Sequence, residues 1–138
     1  MTERFHGIDH LGIAVPDLAA ARHVFETLLG LPVVEEDEVE DQRVRVVKLD
    51  AGGSHLELLE STDPDGPIGR YVSRRGAGIH HVTLRVHDIA RTLRELEAAG
   101  VELIDREPRT GAGGARIAFL HPRSTAGILI ELCESGGR

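Results

Sequence analysis

The chain has 138 residues and a net charge of −7, with 41% hydrophobic and 28% charged residues. That composition excludes a disordered chain, and the acidic balance argues against nucleic acid as the main partner. Four aromatic residues and no tryptophan make base stacking a poor binding mode.

No apolar run approaches the roughly 20 residues that cross a bilayer. The opening Met1-Thr2-Glu3-Arg4-Phe5-His6 has neither the apolar stretch of a secretory signal nor the acid-poor character of a transit peptide. One cysteine, Cys133, allows no internal disulfide and suits a reducing compartment. The expectation is a cytoplasmic protein with no membrane partner. At this length one compact domain is expected over 1–138, because two halves of this size are each marginal alone.

Residues 7–15 alternate, with Leu11, Ile13 and Val15 on one face and His10, Gly12 and Ala14 on the other. Pro16-Asp17 opens a helix over Leu18–Leu29, which Gly30 ends. Strands are predicted near 32–38, 42–50 and 54–60, with Glu35-Glu36-Asp37-Glu38 at an exposed turn and Ala51-Gly52-Gly53-Ser54 as a hairpin connection. Asp63-Pro64-Asp65-Gly66-Pro67 reads as a turn-rich linker leading into a short helix around Ile68–Arg75. The order then repeats. A strand at 79–86 has Val82, Leu84 and Val86 inward and His81 and Thr83 opposite. His87-Asp88 opens a helix through Ala99, which Gly100 ends, and strands follow near 101–104, 115–121 and 127–134.

Both halves therefore read βαβββ, over 7–62 and 78–136, joined by the linker and short helix of 63–77. The class is α+β, two tandem βαβββ modules building a curved mixed β-sheet cleft. His10 and His81 stand 71 positions apart and Glu57 and Glu131 stand 74 apart, so the repeat places one histidine and one glutamate in each half. In the strand of Glu57, Leu56 and Leu58 take the core face; in that of Glu131, Ile130 and Leu132 do. All four ionisable residues thus face away from the helix-packing stripe. Singly, each is better read as a core histidine or a solvated glutamate. Matching repeat position and facing together point to a divalent metal site with ligands His10, Glu57, His81 and Glu131. Two imidazoles and two carboxylates suit a divalent transition ion such as Co²⁺, Mn²⁺, Ni²⁺ or Zn²⁺, with open positions for substrate. Affinity is expected to fall as the histidines protonate.

The remaining ionisable residues read as structural or solvated. His80 has core-side parity, His6, His23, His55 and His87 follow no pattern, and Glu60 and Glu134 recur at strand ends where solvent is expected. Gly111-Ala112-Gly113-Gly114 is a flexible loop, with a hairpin and a closing flap equally consistent; it matches no phosphate-binding fingerprint.

This duplicated pattern resembles the vicinal oxygen chelate superfamily, and within it the methylmalonyl-CoA epimerases. The matching stretches are Ile8 to Val15, Leu56 to Glu60, Gly66-Pro67-Ile68, Gly78 to Val82, Glu107-Pro108-Arg109 through Gly114, and Phe119-Leu120-His121-Pro122 on to Leu132. The resemblance implies that His10, Glu57, His81 and Glu131 hold the metal and that Glu131 is a catalytic acid/base. It implies the acyl-CoA substrate methylmalonyl-CoA, epimerised at C2 through a metal-stabilised enolate, and a homodimer.

Inversion calls for a second acid/base. Some epimerases carry Gln-Gly-Val-x-Glu in the third strand, where this chain reads Gln42-Arg43-Val44-Arg45-Val46, so a valine replaces the carboxylate. Lys48, the only lysine, shares the parity of Val46; a buried lysine can serve as a base, although an exposed cation at the strand end is the preferred reading. Arg74, Arg75, Arg109 and Arg123 are available for CoA phosphates. Two rivals remain: a glyoxalase I-like isomerase with the same four ligands, and a non-catalytic small-molecule-binding member of the superfamily.

Overall fold

In the computed structural model, residues 4–134 are described. The first residues of the opening segment and residues 135–136 of the second repeat lie outside the described residues. His10–His80 form one compact unit, and the residues before His10 and after His80 form the other. The divisions fall inside two strands, β1 (Phe5–Ala14) and β5 (Gly78–Val86).

The unit of 10–80 continues with α1 (Leu18–Arg22), β2 (Val33–Val39), β3 (Val44–Asp50), β4 (His55–Ser61) and α2 (Pro67–Arg75). Its strands run in the hydrogen-bonded order β2-β3-β4-β1. β1 is parallel to β4, with Gly12 opposite Glu57, and β3 is antiparallel to both neighbours. Val47, Leu49 and Leu58 are buried under Leu18, Ala21 and Phe25, with Ile13 and Leu56 beside them, as the alternation of each strand requires. The hairpin at 51–54 forms as expected. Gly52 and Gly53 both have positive φ, 74° and 82°, and Ala51 N–H donates to the Ser54 carbonyl at 2.9 Å, the twist that joins antiparallel strands.

The expected helix over Leu18–Leu29 changes winding part-way. After Arg22 the turn widens to a π-helix over His23–Leu28, with Leu29 N–H bonded to the Val24 carbonyl at 2.9 Å and Leu31 N–H to that of Phe25 at 3.1 Å. The wider turn brings Phe25 and Leu31 into the same core while Leu28 and Leu29 stay exposed. In the linker, the Asp65 N–H and then the Arg43 guanidinium hold the Asp63 carboxyl below the ordinary carboxylate range. Only glycine fits at position 69, where a Cβ would meet the Pro64 carbonyl oxygen at 2.6 Å.

The other unit carries β5 onward: α3 (Ile89–Ala98), β6 (Arg109–Thr110), β7 (Arg116–Leu120) and β8 (Ile130–Glu134). Its strand order is β5-β8-β7-β6, with β5 parallel to β8 and Thr83 opposite Glu131. Val86, Ile89, Leu93, Ala118, Leu120 and Leu132 make its core. Each unit is thus a βαβββ mixed sheet. The strand expected at 101–104 reduces to one bridge, Leu103 with Leu120, and the edge strand forms later, at β6. Ile104 and Asp105 N–H both donate to the Phe119 carbonyl, at 3.0 and 3.2 Å, and the Phe119 N–H donates to the Asp105 side chain at 2.8 Å, so the ladder is interrupted there.

Glu60 and Glu134 correct the sequence reading. Neither ends its strand in open solvent. Glu60 Oε2 accepts from Leu18 N–H at 3.0 Å, and Glu134 Oε1 accepts from Ile89 N–H at 2.7 Å. Asp17 and Asp88 cap the same helices through Ala20 and Arg91 N–H, both at 3.1 Å. A parallel β–α–β crossover brings the helix start beside the end of the partner strand, so one carboxylate at each site satisfies a donor that the helix leaves open. Glu134→Ala is expected to cost about 1–2 kcal/mol, read by thermal or urea unfolding. Glu36→Ala, at an exposed ion pair with Arg22, is expected to change stability by less than about 0.5 kcal/mol.

Candidate metal centre

In each unit a parallel strand pair puts a histidine diagonal to a glutamate on one face. In the unit of 10–80, His10 lies two residues before Gly12, which pairs with Glu57. In the other, His81 lies two residues before Thr83, which pairs with Glu131. The offset of two is what keeps both side chains on one side of the pleat.

The expected parity holds at all four positions, and all four side chains are buried. His10 Nε2 is 3.3 Å from Glu57 Oε1, and His81 Nε2 is 3.2 Å from Glu131 Oε1. Two donors each about 2.1 Å from one divalent ion, at angles near 100°, stand about 3.2 Å apart. Each pair therefore has the spacing of neighbouring ligands, and both fall within groups of buried donors able to hold a metal ion. Burying carboxylates and imidazoles side by side is costly unless a charge or a hydrogen bond compensates.

The surroundings of the two pairs differ. Thr83, fully buried, donates its hydroxyl to Glu131 Oε1 at 2.6 Å. Phe119 pairs across the sheet with Glu131, and its ring meets His81 edge-on, centroids 5.8 Å apart. Ile117, Phe119 and Cys133 make this face apolar, with Leu129 against them. The Arg109 guanidinium carbon lies 5.5 Å from the centre of the Phe119 ring, with Nε 3.4 Å from Asp105. On the Glu57 side the cross-strand neighbour is Lys48, with Nζ 3.9 Å from Glu57 Oε2 and 3.4 Å from Glu35 Oε1.

Lys48 is a correction. Its side chain is 13% exposed rather than solvated, because β3 lies between β2 and β4 and pairs with both through this residue. Val46 is buried, so the carboxylate position found in some epimerases is apolar here. Thr83 was placed on the correct face by alternation, but its role needed the register with Glu131. Asp9, also buried, meets Arg85 Nε at 3.2 Å.

The other candidates fall outside the centre. His6 and His87 are exposed and stack on each other, centroids 4.1 Å apart, and His80 packs edge-on to Tyr71. The glycine loop is a tight 3₁₀ turn joining β6 to β7, closed by Gly111 N–H on the Ala115 carbonyl at 2.8 Å. A Cβ at Gly111 would meet the Ile117 side chain at 2.9 Å. Arg123 pairs with Glu102 at 3.1 Å, and Arg75 lies over Tyr71, 5.6 Å from the ring centre.

Two βαβββ units, each seating a buried imidazole beside a buried carboxylate on paired parallel strands, define a vicinal oxygen chelate fold. A family model described as Glyoxalase/Bleomycin resistance protein/Dioxygenase superfamily matches residues 9–119. The uncharacterized Bacillus subtilis protein YqjC is 42% identical, over 94% of this chain and 93% of its own length. An ethylmalonyl-CoA/methylmalonyl-CoA epimerase of Cereibacter sphaeroides is 35% identical, over 91% of this chain and 95% of its own. A solved methylmalonyl-CoA epimerase in complex with methylmalonyl-CoA and NH₄⁺ superposes with a TM-score of 0.91 at 35% identity, covering 96% of each chain. The chain belongs to this superfamily and, within it, stands with the methylmalonyl-CoA epimerases, enzymes of the metal-dependent racemase and epimerase class.

Thr83→Val leaves Glu131 short of a buried donor. The expected cost is about 1–3 kcal/mol, read by thermal unfolding, with Thr83→Ser restoring most of it.

Proposed function

We propose that the protein interconverts the two C2 epimers of methylmalonyl-CoA, with His10, Glu57, His81 and Glu131 as the ligands of one divalent ion, Co²⁺ foremost and Mn²⁺, Ni²⁺ or Zn²⁺ as alternatives. The observation that carries this reading is the buried His–Glu pair of ligand spacing that each unit holds, His10 with Glu57 and His81 with Glu131. The epimerase relatives support the substrate class.

A bound divalent ion supplies Lewis-acid stabilisation of the negative charge that develops on the thioester oxygen when the C2 proton leaves. The remaining work falls to the chain. Glu131 receives the C2 proton on one face of the acyl group, as a carboxylate held in place by the Thr83 hydroxyl. The apolar wall of Ile117, Phe119 and Cys133 beside it excludes water, which protects the enolate from adventitious protonation. Arg109, anchored over Phe119, is the arginine of the sequence set best fixed near this wall, and is assigned to the anionic part of the acyl-CoA. Residence in the cytoplasm and assembly as a homodimer belong to the same reading; among the described residues no helix is long and apolar enough to cross a membrane.

A glyoxalase I-like isomerase is the second reading, and the observation favouring it is the buried Val46 in place of a carboxylate. Deuterium exchange at C2 of methylmalonyl-CoA in D₂O, with Co²⁺-loaded protein, separates the two. The epimerase reading expects exchange that stops on chelation and that Glu131→Gln slows at least about 100-fold. Turnover of a glutathione hemithioacetal with no C2 exchange would establish the second reading instead.

A further inference from the structure

The two glutamates at matching repeat positions have unlike cross-strand neighbours. Opposite Glu131 on the antiparallel strand stands Phe119; opposite Glu57, at the equivalent place, stands Lys48. Opposite Glu131 on the parallel strand stands Thr83, and opposite Glu57 stands Gly12, which has no side chain to offer. Lys48 continues a row across three strands, since Glu35, Lys48 and Glu57 are in register with one another. Its Nζ is 3.4 Å from Glu35 Oε1 and 3.9 Å from Glu57 Oε2, while the other Glu57 oxygen is 3.3 Å from His10 Nε2.

We infer that Lys48 is a positioning residue for the metal centre: a fixed counter-cation that holds the far oxygen of Glu57, keeps the near oxygen turned to His10, and stabilises the site while it contains no ion. The inference rests on the proposed metal reading and adds a residue to it.

The reasoning is electrostatic. A carboxylate as buried as Glu57, with its side chain 7% exposed, loses most of its hydration and needs a compensating charge. When the ion is bound, the ion compensates it. When the ion is absent, Lys48 does. Glu35, more exposed, balances Lys48 on the other side and keeps the ammonium on the strand rather than over the ligands. A lysine suits the place because it is a compact point charge on an apolar stem that packs along the strand, and this is the chain's only lysine among 16 basic residues. The same cation repels an incoming divalent ion, so the arrangement trades some metal affinity for a preformed metal-free site.

Lys48→Met removes the charge and keeps the stem; Lys48→Arg keeps the charge. Thermal unfolding of metal-free and Co²⁺-saturated protein, with Co²⁺ affinity by calorimetry, tests the inference. In Lys48→Met the metal-free Tm is expected to fall by several degrees, and the rise in Tm on adding Co²⁺ to exceed that of the wild type. By linkage its Kd for Co²⁺ is then at least about threefold lower. Lys48→Arg is expected to match the wild type in all three readings. A Lys48→Met protein with wild-type metal-free Tm and Kd overturns the inference, as does Lys48→Arg changing them equally, which would assign the effect to packing. Wild-type protein that binds no Co²⁺ would instead overturn the metal reading beneath it.

Discussion

Burying a carboxylate beside an imidazole is the constraint on which the rest of this structure depends. Left alone, such a pair weakens the fold, since desolvation exceeds what two neighbouring polar groups return. The chain accepts that cost twice, at His10 with Glu57 and at His81 with Glu131. Much of the surrounding architecture serves to hold these groups still. Each pair sits on two parallel strands, so its separation is set by backbone ladders rather than by side-chain freedom. Each parallel connection runs through a helix packed on the opposite face, which is why the cores of both units lie away from the ionisable residues.

The duplication extends further than the buried His–Glu pairs. Asp17 and Asp88 cap the two helices, and Glu60 and Glu134, three residues after Glu57 and Glu131, accept from the first N–H of those same helices. One strand of each unit therefore carries a buried carboxylate on one side of the sheet and a helix-capping carboxylate at its end. The two are linked mechanically, because the bond that seats the helix also fixes the end of the strand bearing the buried carboxylate.

Where the repeats diverge, the divergence follows chemistry. The Glu131 face is apolar, with a threonine hydroxyl on the carboxylate and an aromatic ring against the histidine. The Glu57 face carries an ion-paired lysine between two carboxylates. The unlike neighbours are what physically distinguish the two carboxylates.

The paired histidine and glutamate positions, the strand faces and the helix starts were legible in the sequence because each depends on local periodicity, on Asp and Gly at helix ends, or on spacing between repeats. Alternation placed His10, Glu57, His81 and Glu131 on the correct face without any knowledge of strand pairing. Glu35-Glu36-Asp37-Glu38, expected at an exposed turn, runs inside β2 against β3. What alternation cannot report is register, and most of the other misread features depended on it. Lys48 is buried because Glu35 and Glu57 stand opposite it. Glu60 and Glu134 meet helix starts distant in sequence, and residues 101–104 lose their strand to carbonyl sharing at Phe119. The winding change after Arg22 belongs with these, since it answers to where Phe25 and Leu31 must reach. Residue type and period determined which ionisable groups share a face of each sheet; only the packed sheet decided which neighbours hold and charge-balance them, because those contacts join residues that the chain itself keeps apart.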